Sequence, residues 1–265
     1  MPWMIEVADL TRRFGSFCAV DNITFGVEAG QIFAFLGPNG AGKTTTIKML
    51  TTILRPTSGT MLVNGFDPTR QSREVRKSIG IGFQDPSVDD NLTAFENMDF
   101  HGALYGVPRK LRRQRTEKLL QIVELWDRRR DLVKQFSGGM KRRLEIARAL
   151  LHQPRIIFLD EPTIGLDPQT RNRIWGLIKQ LSREETVTVL FTTHYMEEAD
   201  RVADRIAVID HGRIVANDTP AALKQAAGAA NLEDAFIALT GNAIRGEEAS
   251  SSDRLRVARK MWSRR

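Results

Sequence analysis

A glycine-rich segment between an apolar run and a polar helix limits what this chain can fold into more than any other feature. Residues 37–44 read GPNGAGKT and fit the pattern G-x-x-x-x-G-K-[S/T]. The preceding run IFAFL is continuously apolar, as in a buried central strand, and a helix is predicted from Lys43 to about Leu54. Four fixed positions recur by chance in only about 1% of chains of this length. The segment predicts an α/β fold in which a strand–loop–helix unit binds phosphate.

Each residue type in this segment, here called the phosphate loop, has a chemical purpose. Glycines let backbone N–H groups approach and surround phosphate oxygens. Lys43 places a positive charge on the β- and γ-phosphates, and the Thr44 hydroxyl is a ligand for Mg²⁺. The candidate nucleotide-binding residues here are Gly37, Pro38, Asn39, Gly40, Ala41, Gly42, Lys43, Thr44 and Thr45.

An acidic pair follows a second apolar run. The segment IIFLDE (156–161) places Asp160 and Glu161 where a buried strand ends. In open α/β sheets, ligands bind outside the carboxyl ends of the strands. Asp160 is therefore a candidate Mg²⁺ ligand, through water, and Glu161 is a candidate base that orients and deprotonates an attacking water. By itself the pair is equally well explained as a solvated strand end, but the phosphate loop favours the functional interpretation.

The order of elements predicts a mostly parallel sheet interrupted by a helical segment. Strands are predicted at MIEVADL, CAVDNITFGV, TMLVNG and SIGIGF, and helical spacing begins at Asn91. Strands and helices then alternate from PRIIFLDEPT to the hairpin RIAVIDHGRIVAND, and an Ala-rich helical part starts at Pro220. One predicted helix, LRRQRTEKLLQIVELWDRR, is amphipathic. Its apolar face carries Leu119, Ile122, Val123 and Trp126.

Charge and composition leave several classes of partner open. The formal net charge of +7 is compatible with nucleic acid, an anionic membrane surface, an anionic substrate or simple solubility. No apolar run approaches the roughly 20 residues that span a bilayer, and the N-terminus does not fit a signal peptide. The single cysteine, Cys18, excludes an internal disulfide and fits a reducing compartment. We therefore expect a soluble, cytoplasmic protein.

With the phosphate loop and the acidic pair, five short segments resemble the nucleotide-binding subunit of an ABC transporter, over about Ile5 to Asp218. Taken singly, each has an ordinary explanation: a lone histidine after a strand is usually a satisfied polar residue, and an isolated aromatic usually lies in the core. Their order and spacing together carry the resemblance. The segments are RRFG with Phe14, IGFQD with Gln84, SGG at 137–139, GLD at 165–167, and His194.

The resemblance implies a role for each residue. Phe14 would stack on adenine, Gln84 would sense Mg²⁺ and the attacking water while facing the membrane partner, and His194 would be the switch histidine. ATP and Mg²⁺ are the implied cofactors. The implied catalytic set is Lys43, Gln84, Glu161 and His194, and the implied metal set is Thr44, Gln84 and Asp160.

The SGG segment starts a basic helix, which suits an anion, yet it has no lysine of its own. The resemblance explains this, because two subunits would pack head to tail and this segment would close over the γ-phosphate held by the partner. The segment reads FSGGM, not the commoner LSGGQ, and Ile164 stands in TIGLD where a small or polar residue is commoner. The implied contacts in trans are Ser137, Gly138, Gly139 and Asp167.

The resemblance also implies the architecture. We expect a P-loop NTPase (RecA-like) α/β core, an N-terminal antiparallel β-subdomain and an inserted helical subdomain. The expected ATPase domain covers residues 1–220, with the core at 1–85 and 152–220 and the helical subdomain at about 86–151. Residues 221–265 are expected to form a helical extension and a basic tail, which is either solvated or in contact with headgroups or the permease.

The SGGM form, the compact helical segment and NLEDAFIALTG resemble ATPase subunits of ABC-2-type, daunorubicin-resistance-like exporters. This implies hydrolysis coupled to transport through a separate integral-membrane permease, a second ATPase subunit of the same or a related chain, and a peripheral location on the inner face of the cell membrane.

One alternative is a soluble ABC ATPase acting on nucleic acid or ribosomes. The absence of a long heptad run argues against a chromosome-maintenance form of it, and no nucleic acid is expected. The other is a regulatory module without turnover, which the presence of both Glu161 and His194 disfavours.

Overall fold

The computed structural model describes residues 3–84 and 87–241 of the chain. The described residues form two sheets, a three-stranded antiparallel sheet in the order β2-β1-β4 and a six-stranded sheet in the order β5-β6-β7-β3-β8-β9. The strands are β1 (Trp3–Phe14), β2 (Phe17–Glu28), β3 (Ile32–Leu36), β4 (Ser58–Val63), β5 (Ile79–Gly82), β6 (Ile156–Asp160), β7 (Thr188–Thr193), β8 (Arg205–Asp210) and β9 (Arg213–Asp218).

Nine α-helices accompany these strands within the described residues. Short 3₁₀ turns at Trp126–Arg128 and Val133–Gln135 precede the fifth helix. The helices are α1 (Lys43–Leu50), α2 (Ser72–Ser78), α3 (Ala94–Leu104), α4 (Arg109–Ile122), α5 (Gly138–Leu150), α6 (Pro168–Glu185), α7 (Met196–Val202), α8 (Pro220–Ala226) and α9 (Leu232–Thr240). None of these helices is both long enough and apolar enough to cross a bilayer.

The centre of the large sheet consists of parallel strands covered on both faces. β3 pairs in parallel with β7 and β8, and β6 pairs in parallel with β5 and β7, while β9 is antiparallel to β8. Every residue of β3, β6 and β7 is buried, as expected where both faces are packed. The register pairs Leu36 with Thr193 and Asp160 with Thr192. The carboxyl ends of the three strands therefore meet at one edge.

Alternation along β3 divides the core into two layers. Phe33 and Phe35 point into a cluster shared with the antiparallel sheet and α1, where their rings contact Phe25 at centroid distances of 5.6 and 5.0 Å. Ala34 and Leu36 point into the other cluster, which the helices from α3 onwards build. Burial of these apolar side chains on both faces is the main favourable contribution to folding.

The fold class predicted from the sequence is confirmed, including the antiparallel N-terminal sheet and the mostly parallel core. Three element predictions were wrong in detail. The helix α2 was missed, because it is short and buries only Val75 and Ser78. The helix α4 ends at Ile122, so Trp126 lies in a 3₁₀ turn instead of on the α4 face. The helix α1 ends at Leu50 and not near Leu54. The predicted basic tail lies outside the described residues.

A capping box fixes where α3 begins. The hydroxyl of Thr93 accepts a hydrogen bond from the Glu96 N–H at 3.1 Å, and the Glu96 carboxylate accepts one from the Thr93 N–H at 2.8 Å. These two bonds satisfy N–H groups that have no partner inside the helix. The N–H and the hydroxyl of Thr93 both donate to the Glu96 carboxylate, and these hydrogen bonds lower the pKa of Glu96.

We expect Thr93→Ala to lower the free energy of unfolding by about 1 kcal/mol, the usual cost of losing a helix cap. Because the pKa of Glu96 is lower in the folded protein, its share of this stabilisation is present at neutral pH and is lost as the pH falls through that lowered pKa. Urea unfolding at pH 7 and near pH 3 would measure both effects. Gln114→Ala, at an exposed position of α4, is the control; an equal loss in the two variants would contradict the capping assignment.

Candidate functional site

The phosphate loop connects β3 to α1 and depends on glycine at two positions. A Cβ atom on Gly37 would lie 2.2 Å from the carbonyl oxygen of Ile209 in the neighbouring strand. Gly42 has a φ of 106° and would place a Cβ atom 2.5 Å from the carbonyl oxygen of Ala19. Any side chain at these positions would push the loop away from the sheet. Glycine at these two positions therefore lets the loop backbone lie close to any group that binds at the start of α1.

Lys43 is almost completely buried at the beginning of α1. Its ammonium donates hydrogen bonds to the carbonyl oxygens of Gly37 at 2.6 Å and Pro38 at 3.0 Å, and it lies 3.4 Å from Oε1 of Glu161. Burial lowers the pKa of Lys43, and the charge of Glu161 opposes that shift. The side chain is thus held within the loop by weak acceptors that a phosphate group, with its greater negative charge, can replace.

Asp160 and Thr44 form a pair of oxygen ligands at the edge of the sheet. The Thr44 hydroxyl donates to Oδ1 of Asp160 at 3.1 Å, and the hydroxyl of Thr192 donates to the same oxygen at 2.6 Å. Mg²⁺ prefers oxygen ligands from carboxylates and hydroxyls and keeps several of its waters. This donor set fits Mg²⁺, with Thr44 and Asp160 as the residues that would hold it.

Glu161 occupies a position with an unusual backbone and an incompletely satisfied carboxylate. Its φ is 48°, and its N–H donates to the Thr192 hydroxyl at 2.9 Å. Oε2 lies 2.9 Å from Nδ1 of His194, whereas Oε1 is buried and accepts no hydrogen bond from the described residues. A buried carboxylate oxygen without a donor can accept one from a water molecule, and a histidine at the other oxygen fixes its orientation.

Phe14 and Gln84 are both exposed. Phe14 ends β1 and is 46% exposed, and the guanidinium of Arg12 lies 4.4 Å from the centre of its ring. Phe17 stands opposite Phe14 in the hairpin and is 61% exposed. An exposed aromatic ring is available for stacking, so the geometry is compatible with the predicted adenine contact. Gln84 lies two residues beyond the end of β5, and its contact with a metal stays a prediction.

Two of the four residues predicted to act in trans, Ser137 and Asp167, are helix caps in the structure, and Gly138 and Gly139 begin α5. Ser137 caps α5, its hydroxyl accepting the Met140 N–H at 3.3 Å. Asp167 caps α6 and accepts from the Thr170 hydroxyl and N–H, which lowers the pKa of Asp167. A Cβ atom on Gly139 would lie 2.6 Å from Thr170, so α5 and α6 need glycine there to approach each other. Ser137, Gly138 and Asp167 are exposed, in contrast to the buried Lys43 and Glu161.

The structure therefore brings five of the predicted residues into one group that hydrogen bonds and an ion pair hold together. The side chains of the other predicted site residues, all of them in the described part of the chain, are not part of this group. That group also contains Thr192, which sequence reasoning missed. A threonine at the end of the buried strand TVLFTT is the signal that could have identified it, because a polar residue there must find partners at the edge of the sheet. The predicted members are Lys43, Thr44, Asp160, Glu161 and His194.

The family model described as ABC transporter matches residues 20–164. The chain belongs to the ABC transporter family and is an ATPase of the ABC type. It is 46% identical over 224 residues to the daunorubicin/doxorubicin resistance ATP-binding protein DrrA of Streptomyces peucetius, covering 84% of this chain and 68% of that protein. It is 39% identical to the linearmycin resistance ATP-binding protein LnrL of Bacillus subtilis, covering 91% of this chain and 76% of that protein.

Solved structures give the same result for the fold. The ATP-binding subunit of an ABC transporter superposes with a TM-score of 0.82 at 28% identity, covering 90% of this chain and 100% of the other. The dimeric structure of MJ0796, a bacterial ABC transporter cassette, superposes with a TM-score of 0.74 at 29% identity, covering 82% of this chain and 98% of the other. The predicted resemblance of this chain to an ABC transporter ATP-binding subunit is confirmed.

We expect Thr192→Val to reduce ATPase turnover roughly tenfold, as a small displacement of reacting groups can do. The change removes the acceptor of the Glu161 N–H and a donor to Asp160. Thr188→Val is a matched control in the same strand, because the Thr188 hydroxyl accepts the Gly30 N–H at 3.0 Å far from the site. Both variants should lose about 1–3 kcal/mol of stability, and only the first should lose turnover. An equal activity loss in the control would contradict this assignment.

Proposed function

We propose that this chain is the ATP-hydrolysing motor subunit of a drug exporter and works with a separate integral-membrane permease. The observation that carries the proposal is the group of Lys43, Glu161 and His194 beside the oxygen pair of Thr44 and Asp160. The names of the relatives describe ATP-binding proteins for resistance to daunorubicin, doxorubicin or linearmycin. These names favour an exporter over an ATPase that acts on nucleic acid, and the similarity to an ATP-binding subunit of an ABC transporter supports a permease on another chain.

The role proposed for each residue follows from its charge and its partners. Lys43 exchanges its carbonyl acceptors for the β- and γ-phosphates, and the N–H groups of the phosphate loop bind the other phosphate oxygens. Thr44 and Asp160 hold Mg²⁺, which supplies positive charge to the phosphates when bound. Glu161 accepts the proton of the attacking water through its unsatisfied oxygen, and His194 holds the carboxylate in place.

We further propose that the complete site forms only between two subunits packed head to tail. The start of α5 exposes Ser137 and Gly138, and the N–H groups at the start of a helix favour an anion. The lysine in its first turn, Lys141, is paired with Asp90 at 2.7 Å, so this helix start needs a phosphate that is held elsewhere. The dimeric cassette of MJ0796 supports such a pairing. Ser137, Gly138, Gly139 and Asp167 then face the nucleotide of the partner subunit.

The remaining proposals concern organisation and location. We place the ATPase domain at residues 1–220, with the helical subdomain at about 86–151, and the extension at 221–265. Phe14 stacks on adenine, and Gln84 joins the metal site when the subunits close. Through the permease, the protein lies on the inner face of the cell membrane. The second ATPase subunit is either a copy of this chain or a related one.

Glu161→Gln should keep ATP binding and slow hydrolysis by about 10²–10⁴-fold, the usual contribution of a general base. The amide keeps the shape of the side chain and removes its ability to take a proton. Fluorescent-ATP titration and a phosphate-release assay would separate binding from turnover. Glu197→Gln, on the exposed side of α7, is the matched control and should hydrolyse at the normal rate. A normal rate in Glu161→Gln would remove Glu161 from this role.

The head-to-tail arrangement predicts a second result in the Glu161→Gln background. With Mg-ATP this variant should sediment as a dimer, because the shared γ-phosphate is not removed. Adding Ser137→Arg should leave ATP binding intact and return the protein to monomers, since Ser137 is exposed and its side chain contacts only the start of α5 in its own chain. Adding Gln114→Arg elsewhere on the helical segment should leave the dimer intact. A dimer that persists with Ser137→Arg would contradict the proposed pairing.

A further inference from the structure

Arg142 is a buried arginine that joins α5 to two other segments of the site. It lies on α5, one turn beyond the exposed helix start at Ser137, and is 6% exposed. Its guanidinium donates to the carbonyl oxygens of Phe83 at 2.5 Å, Pro162 at 2.9 Å and Asp160 at 3.1 Å. These carbonyls stand before Gln84, after Glu161 and at Asp160 itself. Gln84, Asp160 and Glu161 are the residues at the ends of β5 and β6 that are predicted to contact water or metal. One side chain of α5 thus contacts the backbone beside or at each of them.

Glu145 completes this connection from the next turn of α5. Its carboxylate is completely buried and accepts hydrogen bonds from Arg142 at 2.8 Å and from the N–H and hydroxyl of Ser87 at 3.0 and 2.9 Å. Arg148 donates to the carbonyl oxygen of Ser87 at 2.6 Å and also to its hydroxyl. Phe83 and Ser87 flank Gln84 in the sequence, so α5 holds the chain on both sides of that residue.

The buried network of Arg142 and Glu145 is not explained by stability alone. Buried ion pairs cost desolvation, and well-packed apolar side chains often stabilise a core as well or better. The guanidinium, however, offers several donors in a fixed planar fork, which lets it bind three carbonyls in one geometry. A lysine carries its three donors on one nitrogen, so it lacks the spread of the guanidinium fork that reaches these carbonyls in one plane. The network therefore fixes relative position rather than adding stability.

We propose that Arg142 and Glu145 are positioning residues that make the start of α5, the Gln84 segment and the end of β6 move as one unit. The inference rests on the proposed function, in which Ser137 engages the γ-phosphate held by the partner. Contact of Ser137 with that phosphate then sets the position of Asp160, Glu161 and Gln84 in its own chain. Each nucleotide of the dimer thereby influences hydrolysis of the other.

The test removes the buried pair as a whole, with Arg142→Met and Glu145→Leu in one protein. Removing both charges leaves neither of them buried without a partner. The carbonyl oxygens that Arg142 contacts and the Ser87 N–H do lose a partner, so the melting temperature should fall by a few degrees while the protein still folds. The KM for ATP should stay within about twofold, and kcat should fall roughly tenfold or more, as misplacement of reacting groups predicts. Arg143→Met is the matched control, because Arg143 contacts Val123 and Glu124 outside the site. It should keep its kcat.

Arg142→Lys keeps the positive charge beside Glu145 and should fold even if the double variant does not. Its kcat should lie between those of the unchanged protein and the double variant, since one ammonium replaces the fork. A normal kcat in either folded variant would overturn the inference. So would a raised KM with an unchanged kcat, because that pattern reports lost binding and not lost positioning.

Hydrogen exchange without nucleotide distinguishes failure of this inference from failure of the proposed function. The Ser87 N–H donates to Glu145, so its exchange should be faster in the double variant and unchanged in Arg143→Met. Unchanged protection of Ser87 would overturn the inference even where kcat falls. If the unchanged protein does not hydrolyse ATP but shows the expected exchange pattern, the proposed function fails and the mechanical connection through Arg142 stands.

Discussion

The parallel register of β3, β6 and β7 is the constraint on which the rest of the structure depends. It pairs Leu36 with Thr193 and Asp160 with Thr192, so the phosphate loop, the acidic pair and His194 all leave the sheet at one edge. A shift of one residue would turn every side chain of a strand to the opposite face. Because both faces of these strands are buried, such a shift is strongly disfavoured, and the hydrophobic core thus maintains the geometry of the site.

Charge compensation explains why this edge is stable before a nucleotide binds. The side chains of Lys43, Asp160 and Glu161 are almost completely buried, and buried charges must be paired or hydrogen-bonded. Lys43 uses the carbonyl oxygens of its own loop and the Glu161 carboxylate, while Asp160 takes hydroxyl donors from Thr44 and Thr192. The partners are weak enough to be exchanged. Oε1 of Glu161 accepts no hydrogen bond from the described residues and has only the Lys43 ammonium beside it, at 3.4 Å, so it can accept one from water when Lys43 turns to a phosphate.

The helix α5 connects the exposed and the buried parts of the site. Its start carries the SGG segment, and its buried face carries Arg142 and Glu145. Salt bridges on the surface contribute little to stability, as between Arg173 and Glu124, which are both mostly exposed. The contacts of Arg142 differ because they are desolvated and reach three carbonyl oxygens in two other backbone segments. Such a network restricts relative movement, which is what transmission of a signal between two nucleotides requires.

The sequence by itself determined the fold class, the phosphate loop and the acidic pair, because glycine spacing and continuous apolar strands are local properties that have few alternatives. It could not show that Thr192 joins Asp160 to Glu161, nor that Arg142 is buried, since an arginine in an amphipathic helix is normally exposed. It also missed α2, whose few buried side chains give no periodic signal. Those features depend on which segments meet after folding, and only the tertiary structure decides that.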